Sequence, residues 1–353
     1  MDINGDINGD IKSIVELSWN VDEPTYRKDS AISYSILSRY SREGFRKLGS
    51  LFDKVESPAL RFGSAVDTML TDGIDAFKER FIVCEFPSLS EALIGIARDL
   101  FESYGSQYRS IELIPDDNII AHTISYQPTW GAEAKLRTIK SKCNDYYKLL
   151  AISVDKEILS QKDYNDTVAC VNELKNNPYT KYFFYVNPFD TRFEKVFQLK
   201  FKAKYNGISV RCMFDELIVD HEEKVIYPID LKTSGHAEED FEQSFVTWRY
   251  MIQAQLYTYI LQQVISEDEY FKDFKIAHYS FIVINRYTLA PLVWRYYGNF
   301  SEVDLKDDKG NIYRNWRKLL EELDYYLNEP SSKYTKEAKE RNGIMKIDNL
   351  QPA

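Results

Sequence analysis

The stretch that decides the fold of this chain runs from Val210 to Gly235 and reads VRCMFDELIVDHEEKVIYPIDLKTSG. Its two apolar arms are separated by the polar residues 220–224, a pattern that predicts a β-hairpin. Asp215 lies in the first arm, and Asp230 and Lys232 lie in the second. Side chains two residues apart on a strand share a face, so Asp230 and Lys232 are expected on one face. If the arms pair, the two carboxylates and the ammonium converge.

Strict alternation along the first arm assigns its side chains to two faces. We expect Asp215 to share a face with Arg211. That face should also carry Met213, Leu217 and Val219, and the other face Val210, Cys212, Phe214, Glu216 and Ile218. In the second arm Pro228 lacks the N–H of a central strand. It therefore predicts either a bulge just before Asp230 or an edge strand.

Two carboxylates and a lysine at strand ends suit metal-assisted hydrolysis of a phosphodiester. Carboxylate oxygens hold Mg²⁺ or Mn²⁺, the ion lowers the pKa of a bound water, and a lysine orients or deprotonates that water. The D-x-K spacing alone is weak, because it recurs at Asp10–Lys12 and Asp307–Lys309. A structural ion pair between Lys232 and an aspartate explains the hairpin equally well, and both readings stay open at this point.

The segment after the hairpin, residues 238–265, has the apolar periodicity of a helix. Its core-facing stripe is predicted to consist of Phe241, Phe245, Trp248, Ile252, Leu256 and Tyr259. Beside that stripe Arg249, Gln253 and Tyr257 follow one another at i, i+4 and i+8, so they are expected to form one ridge. Gln and Tyr are also common on half-buried helix faces, and the ridge by itself indicates no function.

Together these motifs resemble the PD-(D/E)XK nuclease superfamily in its RecB-like branch. They occur in the order of that branch: Gly63–Asp67, Asp215, Asp230–Lys232 and Gln253–Tyr257. Within it, the chain looks most like the RecE-type (exonuclease VIII) exodeoxyribonucleases of phages and prophages. The resemblance covers most of the chain from Ser30 to about Tyr334. No single motif is decisive, but their ordered combination is fairly specific.

The resemblance implies a DNA nuclease, most like an exonuclease that acts on linear double-stranded DNA in phage recombination or genome processing and leaves 5′-phosphates. Asp215 and Asp230, helped by the Leu231 carbonyl, are then expected to hold Mg²⁺ or Mn²⁺, with Lys232 positioning the attacking water. It also implies a single-strand annealing protein as a partner and a ring-shaped homo-oligomer. An endonuclease of the same fold, or a DNA-binding protein whose site has decayed, are the alternatives.

Further site residues follow from the same resemblance. Gln253 and Tyr257 are expected to orient Lys232 and the DNA backbone. Phosphate contacts are assigned to Arg211, Arg249 and Arg61.

Two acidic residues are candidates for additional metal ligands. Where the family has a histidine in its upstream helix motif, this chain has Asp67, which either ligates the ion in place of the imidazole or marks a lost ligand. Glu194 resembles a glutamate that contributes to the metal site of related exonucleases, and we carry it as a candidate for a second metal ion or for an outer contact.

Bulk properties narrow the class of protein. The formal net charge of −10 argues against a protein that coats DNA, although a nuclease needs only a local basic groove. The four cysteines contain no C-x-x-C pair, which excludes a zinc knuckle and speaks against the iron–sulfur relatives of this superfamily. No signal peptide or long apolar run is evident, so we expect a cytoplasmic protein without membrane contact.

The predicted fold class is α/β, with a central mixed β-sheet flanked by helices, a restriction-endonuclease-like core and a helical insertion. The predicted segments are a flexible N-terminal tail (1–20), N-terminal helices of the nuclease core (21–80), a mostly helical insertion (81–190), the catalytic core (191–300), and a C-terminal helix and tail (301–353).

Overall fold

The computed structural model describes residues 11–53, 55, 57–84, 89–153, 156–329 and 333–345. The chain forms two compact units. The first comprises the described residues of 1–56 and 172–353, and the second those of 57–171. This division differs from the predicted segments, because residues 57–80 cluster with the helical second unit and residues 172–190 with the first.

The described residues form ten strands and thirteen α-helices. The strands are β1 (Phe81–Val83), β2 (Glu157–Leu159), β3 (Phe193–Tyr205), β4 (Ile208–Asp220), β5 (Val225–Ser234), β6 (Lys275–Ile276), β7 (Tyr279–Asn285), β8 (Leu292–Tyr296), β9 (Leu305–Lys306) and β10 (Ile312–Tyr313). The helices are α1 (Glu23–Lys28), α2 (Tyr34–Glu43), α3 (Pro58–Thr71), α4 (Gly73–Arg80), α5 (Glu91–Tyr104), α6 (Asp116–Ala121), α7 (Ala132–Ile152), α8 (Gln161–Asn176), α9 (Lys181–Phe184), α10 (Phe241–Trp248), α11 (Tyr250–Ser266), α12 (Trp316–Asn328) and α13 (Lys336–Glu340). None of these helices is both long and apolar enough to cross a lipid bilayer.

A six-stranded mixed sheet is the centre of the first unit. Its order is β3-β4-β5-β7-β8, with β6 also paired to β5. Neighbours are antiparallel except where β5 meets β6 and β7, which run parallel to it. The predicted α/β class, with a central mixed sheet flanked by helices, is confirmed.

Two local features of the sheet follow from turn chemistry and from proline. Asn206 and Gly207 both take positive φ, 48° and 84°, as the tight turn between β3 and β4 requires. Pro228 lies in a central strand, where neither a bulge nor an edge was needed to accommodate it. On the side of β5 that faces β6 and β7, pairing with β6 ends at Ile226 and pairing with β7 begins at Ile229. Pro228 lies in this gap, where no backbone N–H is needed for pairing.

Helix α11 is the helix around which the first unit packs. Eleven of its 17 residues are buried, so the core encloses this helix on most of its sides. Leu256 and Ile260 join a single hydrophobic cluster with Phe201 and Phe214 of the sheet. Buried side chains of α12 complete that cluster: Trp316, Leu319, Leu320, Leu323 and Tyr326.

The described residues of the predicted N-terminal tail pack against the sheet of the first unit. Residues 1–10 lie outside the described residues, but Ile14–Leu17 form a short 3₁₀ helix. Ile14 is fully buried in the core of the first unit, and the Trp19 N–H donates to the Lys200 carbonyl of β3 at 2.7 Å. The expectation of a flexible tail is therefore wrong for residues 11–20, because an isoleucine in this segment fills the core.

The second unit has its own core. Helices α5, α6 and α7 enclose it, with Ile96, Leu100, Ile139 and Tyr147 among its buried residues. β1 and β2 form a separate two-stranded parallel sheet in this unit. The unit therefore contains short strands as well as the helices that the sequence predicted.

Candidate active site

The site lies where β4 and β5 separate. Their antiparallel pairing ends at Glu216 and Ile229, one residue short of Asp215 and Asp230, while β5 continues against β7 as far as Ser234. Asp215 and Asp230 are thus cross-strand neighbours at the opening between the two strands. Oδ2 of Asp215 accepts a hydrogen bond from the Leu231 N–H at 2.8 Å, which fixes that carboxylate against β5.

Asp230 is a buried carboxylate held by an amide and an ammonium. It is 2% exposed, and its Oδ1 accepts a hydrogen bond from Nε2 of Gln253 on α11. Its Oδ2 forms an ion pair with the Lys232 ammonium, but no donor among the described residues meets it with hydrogen-bond geometry. Oε1 of Gln253 also lacks a donor there. The buried Gln253 oxygen thus has capacity for a further ligand at this site.

The Lys232 ammonium is half-buried between acidic and aromatic groups. Burial alone would lower its pKa, but the charges of Asp230 and, less strongly, Asp215 raise the pKa above its ordinary value. The ammonium lies 4.6 Å from the centroid of the Tyr250 ring, a cation–π contact. Tyr34 lies behind that ring at 6.1 Å and donates its hydroxyl to the Trp248 carbonyl at 2.8 Å.

The predicted alternation along the first arm is wrong beyond Phe214. The core holds Val210, Cys212, Phe214, Leu217 and Val219, so the buried face changes parity between Phe214 and Leu217. β3 changes parity at the same level, between Val196 and Leu199, where Gln198 takes a positive φ of 55°. Between the pairs Phe197–Glu216 and Leu199–Phe214, the register places Gln198 opposite Asp215, at the level of this change.

The same change separates Glu216 from its neighbour Asp215. Glu216 is 1% exposed, and neither of its carboxylate oxygens has a donor among the described residues. Burial raises its pKa well above the ordinary value, against the opposing charge of Lys195. Its register partner Ile229 belongs to the face away from Asp230, so Glu216 is not part of the carboxylate pair.

The helix that carries Gln253 is interrupted, contrary to the prediction of one continuous helix. Arg249 takes a left-handed conformation (φ 61°, ψ 42°) between α10 and α11. Trp248, predicted to face the core, is 47% exposed, and the Arg42 guanidinium lies 4.8 Å from its ring centroid. Arg249 therefore does not continue the ridge of Gln253 and Tyr257. Sequence reasoning missed Tyr250, although its spacing of three and seven residues from Gln253 and Tyr257 places all three on one helix face.

Tyr257 lies deeper in the fold than Gln253 does. It belongs to the hydrophobic core, and its ring packs edge-on against Phe214 at 5.3 Å. Burial raises the pKa of its phenol well above the ordinary value. Tyr257 therefore packs α11 against the sheet. Its predicted contact with DNA stays a prediction.

Glu194 is held away from the carboxylate pair. It pairs in register with Val219, four residues along β4 from Asp215, or about 13 Å at ~3.3 Å per residue. Its carboxylate accepts hydrogen bonds from the Ser13 hydroxyl, from the Ile14 N–H at 3.2 Å and from His221 Nε2 at 3.2 Å. These contacts tie the N-terminal segment to the sheet and leave Glu194 outside the carboxylate pair, and its role at a second metal ion or as an outer contact stays a prediction.

A pH-dependent loss of stability is expected from Glu194→Gln. Burial opposes the charged carboxylate, but hydrogen bonds from His221, Ser13 and Ile14 outweigh it and lower the pKa of Glu194 from its ordinary 4.5. This stabilisation is present above pH 4.5 and is lost as the pH falls through the lower pKa of the folded state. Urea unfolding should show a deficit of about 2 kcal/mol at pH 7 that shrinks below pH 4.5.

The control for this prediction is Glu269→Gln, because the Glu269 side chain is 92% exposed. This variant should have the same free energy of unfolding as the wild type at pH 7 and at pH 3.5. A Glu194→Gln deficit that stays constant from pH 7 to pH 3.5 would contradict the assignment.

The three arginines predicted to bind phosphate all have contacts within the fold. Arg211 is 6% exposed, donates to the Asp29 and Arg27 carbonyls, and lies 4.9 Å from the Tyr26 ring centroid. Because its guanidinium is buried, Arg211 is poorly placed to contact a DNA phosphate.

The other two arginines are less deeply buried. Arg249 donates to the Val246 carbonyl and lies 4.8 Å from the Tyr313 ring centroid. In the second unit, Arg61 donates to the Ile158 carbonyl at 3.3 Å and lies 4.0 Å from Glu157. Phosphate contacts by these two side chains stay predictions.

Asp67 belongs to α3 of the second unit and is half-buried there. Its carbonyl accepts a hydrogen bond from the Thr71 hydroxyl at 3.0 Å. Within the described residues, no group of three His, Cys, Asp or Glu side chains is arranged to hold a metal ion. Metal ligation by Asp67 therefore stays a prediction.

The oxygen atoms of the site nevertheless suit a hard divalent cation as ligands. Asp215 and Asp230 offer carboxylate oxygens, and Oε1 of Gln253 has no hydrogen-bond donor among the described residues. Mg²⁺ keeps several of its waters and is commonly bound through one or two carboxylates, so a pair suffices. The absence of thiolate or imidazole ligands from this set favours Mg²⁺ or Mn²⁺ over softer metals.

No family model matches this chain, and no curated protein sequence does. Among solved structures it is similar to a "Putative exonuclease" from Eubacterium rectale, with 11% identity and a TM-score of 0.40 over 91% of this chain and 85% of that one. Similarity at this level assigns neither an activity nor a substrate to this protein.

Proposed function

We propose that this protein is a metal-dependent deoxyribonuclease that hydrolyses phosphodiester bonds. The observation that carries the proposal is the meeting of Asp215 and Asp230 at the opening between β4 and β5, with the Lys232 ammonium paired to Asp230. A structural ion pair requires neither a second carboxylate beside it nor a buried amide oxygen without a hydrogen-bond donor, and the described residues of this site provide both.

Each residue of the site has a defined part in this proposal. Asp215 and Asp230, with the Leu231 carbonyl, would hold Mg²⁺ or Mn²⁺, and the bound ion would polarise the phosphoryl group and acidify a water. Lys232 would orient that water or hold a non-bridging phosphate oxygen. Gln253 positions Asp230 through its Nε2 donor, and the Leu231 N–H positions Asp215.

The finer proposal is an exonuclease on linear double-stranded DNA that leaves 5′-phosphates and serves phage recombination or genome processing. It rests on the ordered motifs and on their resemblance to RecE-type enzymes. With it come the proposals of a single-strand annealing partner, a ring-shaped homo-oligomer and a place in the host cytoplasm.

A cleavage assay with two DNA substrates tests the proposal. End-labelled linear duplex and sealed plasmid would be incubated with the protein in Mg²⁺, in Mn²⁺ or in EDTA. An exonuclease degrades the linear duplex with either metal, spares the sealed plasmid and is inactive in EDTA. Nicking or linearisation of the plasmid would replace the exonuclease by an endonuclease. DNA binding without cleavage under any condition would overturn the nuclease proposal.

A further inference from the structure

The turn that follows β7 lies at the same end of the sheet as the candidate active site. Lys232 pairs in register with Val283, and the pairing of β5 with β7 ends at Ser234 and Asn285. The turn (residues 286–290) therefore begins three residues beyond the level of Lys232 on the neighbouring strand. At its tip Tyr287 is 71% exposed.

A buried carboxylate holds this exposed turn in place. Glu238 is fully buried, and its carboxylate accepts hydrogen bonds from the Asn285 N–H at 2.9 Å, the Ala290 N–H at 3.0 Å and the Thr288 hydroxyl. The Glu238 carbonyl also accepts from Trp294 Nε1 at 3.0 Å. A carboxylate is costly to bury, and here its hydrogen bonds to Asn285, Thr288 and Ala290 all hold one short turn.

Two further features indicate that the turn is held in a defined conformation. Asn285 donates through Nδ2 to the Ser234 and His236 carbonyls, at 3.1 and 2.9 Å, and so joins the turn to the chain leaving Lys232. Leu289 has a φ of 50°, an unfavourable conformation for a leucine. Strain of this kind persists where the surroundings impose it, and it is frequent beside functional sites.

From this arrangement we propose that Tyr287 is a stacking platform for an unpaired base of the DNA strand that enters the site. The inference rests on the proposed nuclease function and extends it to a substrate contact. An exposed aromatic face accepts any base, and the Arg286 guanidinium, 5.8 Å from the Tyr287 ring centroid, adds a positive charge at the platform. Glu239 and Asp240, which directly follow Glu238 in the sequence, are exposed acidic residues. Their negative charge makes an uncharged base a better partner here than a run of backbone phosphates.

The chain offers a matched control for Tyr287. Tyr297 is 72% exposed and follows β8 at the other end of the β7–β8 pair, where Tyr279 pairs with Tyr296. Along the seven residues of β7 this is about 20 Å away. Tyr287→Ala and Tyr297→Ala thus remove the same exposed side chain from opposite ends of one hairpin.

The experiment measures DNA binding in EDTA, so that cleavage does not interfere. The probe is a duplex with a short single-stranded overhang that contains 2-aminopurine, whose fluorescence falls when the base stacks on an aromatic ring. Wild type, Tyr287→Ala, Tyr287→Trp and Tyr297→Ala would be titrated against it. Wild type should quench the fluorescence, and Tyr287→Ala should raise the Kd about 5- to 100-fold and abolish the quenching.

The remaining variants decide whether stacking is the cause. Tyr287→Trp should restore both affinity and quenching, because it keeps an aromatic face, and Tyr297→Ala should bind within twofold of wild type. Equal behaviour of Tyr287→Ala and Tyr297→Ala would overturn the platform. Wild-type protein that binds the probe as described but never cleaves DNA with Mg²⁺ or Mn²⁺ would overturn the nuclease proposal and leave the platform standing.

Discussion

Replacing Lys232 with methionine is expected to slow DNA cleavage by about 10²- to 10⁴-fold, the range for loss of a group that positions or transfers a proton. Methionine keeps an unbranched chain against the Tyr250 ring, so the change removes mainly the charge. Asp230→Asn should cause a loss at least as large, because it halves the pair of carboxylates while Asn Oδ1 can still accept from Gln253. Initial rates on end-labelled duplex in Mg²⁺ measure both effects.

The matched control is Lys275→Ala. Lys275 is an exposed lysine of the same sheet, paired with Val225 at the far end of β5, about 20 Å from Lys232. Its rate should equal that of the wild type. Because Lys232→Met leaves Asp230 buried without its cation, thermal unfolding must be followed in parallel. A folded Lys232→Met or Asp230→Asn variant with wild-type activity would place the chemistry elsewhere in the molecule.

Mg²⁺ or Mn²⁺ is expected to raise the stability of the wild type and to have no effect on Asp215→Ala. A ligand that binds only the folded state stabilises it by RT ln(1 + [L]/Kd), about 2.7 kcal/mol at a concentration of 100 Kd. Asp215 is anchored by the Leu231 N–H beside Asp230, so its removal takes away half of the carboxylate pair. Thermal unfolding across a metal titration gives the shift without any need for DNA or for cleavage.

Asp273→Ala is the control for this experiment, since Asp273 is an exposed aspartate of the first unit outside the site. It should keep the full metal-induced shift. If Asp215→Ala keeps that shift as well, the ion binds at another place and the carboxylate pair is a structural feature. If the wild type shows no shift with either metal up to millimolar concentrations, the alternative of a decayed site gains support.

The two variants report on different properties of one site. Lys232 has an ammonium group whose pKa is raised by the neighbouring carboxylates. Asp215 supplies the second carboxylate for a bound cation. A protein that binds metal through Asp215 but is indifferent to Lys232 would use the ion without the lysine. Loss of both responses in the expected variants would support the whole constellation.

Much of the site was predictable from local sequence. The two-residue spacing of Asp230 and Lys232 places them on one face of any strand, and Asn206-Gly207 specifies a tight hairpin turn. Helix periodicity also places Gln253 and Tyr257 on one face of α11, but the predicted contact of Gln253 was with Lys232, and in the structure its amide donates to Asp230. These inferences succeed because strand alternation, turn chemistry and helix periodicity depend only on neighbouring residues.

Tertiary structure alone decided the rest. The buried faces of β3 and β4 change parity at the level of Gln198 and Asp215. Gln198 and Arg249 take a left-handed conformation that no local signal favours, so packing on both sides must impose it. Glu194 meets Ser13 across 181 positions and His221 across 27, contacts that no spacing rule encodes. Local chemistry thus determined which side chains the strands and helices present. The way those elements pack determined that Asp215 and Asp230 meet, and that Glu194 is held elsewhere.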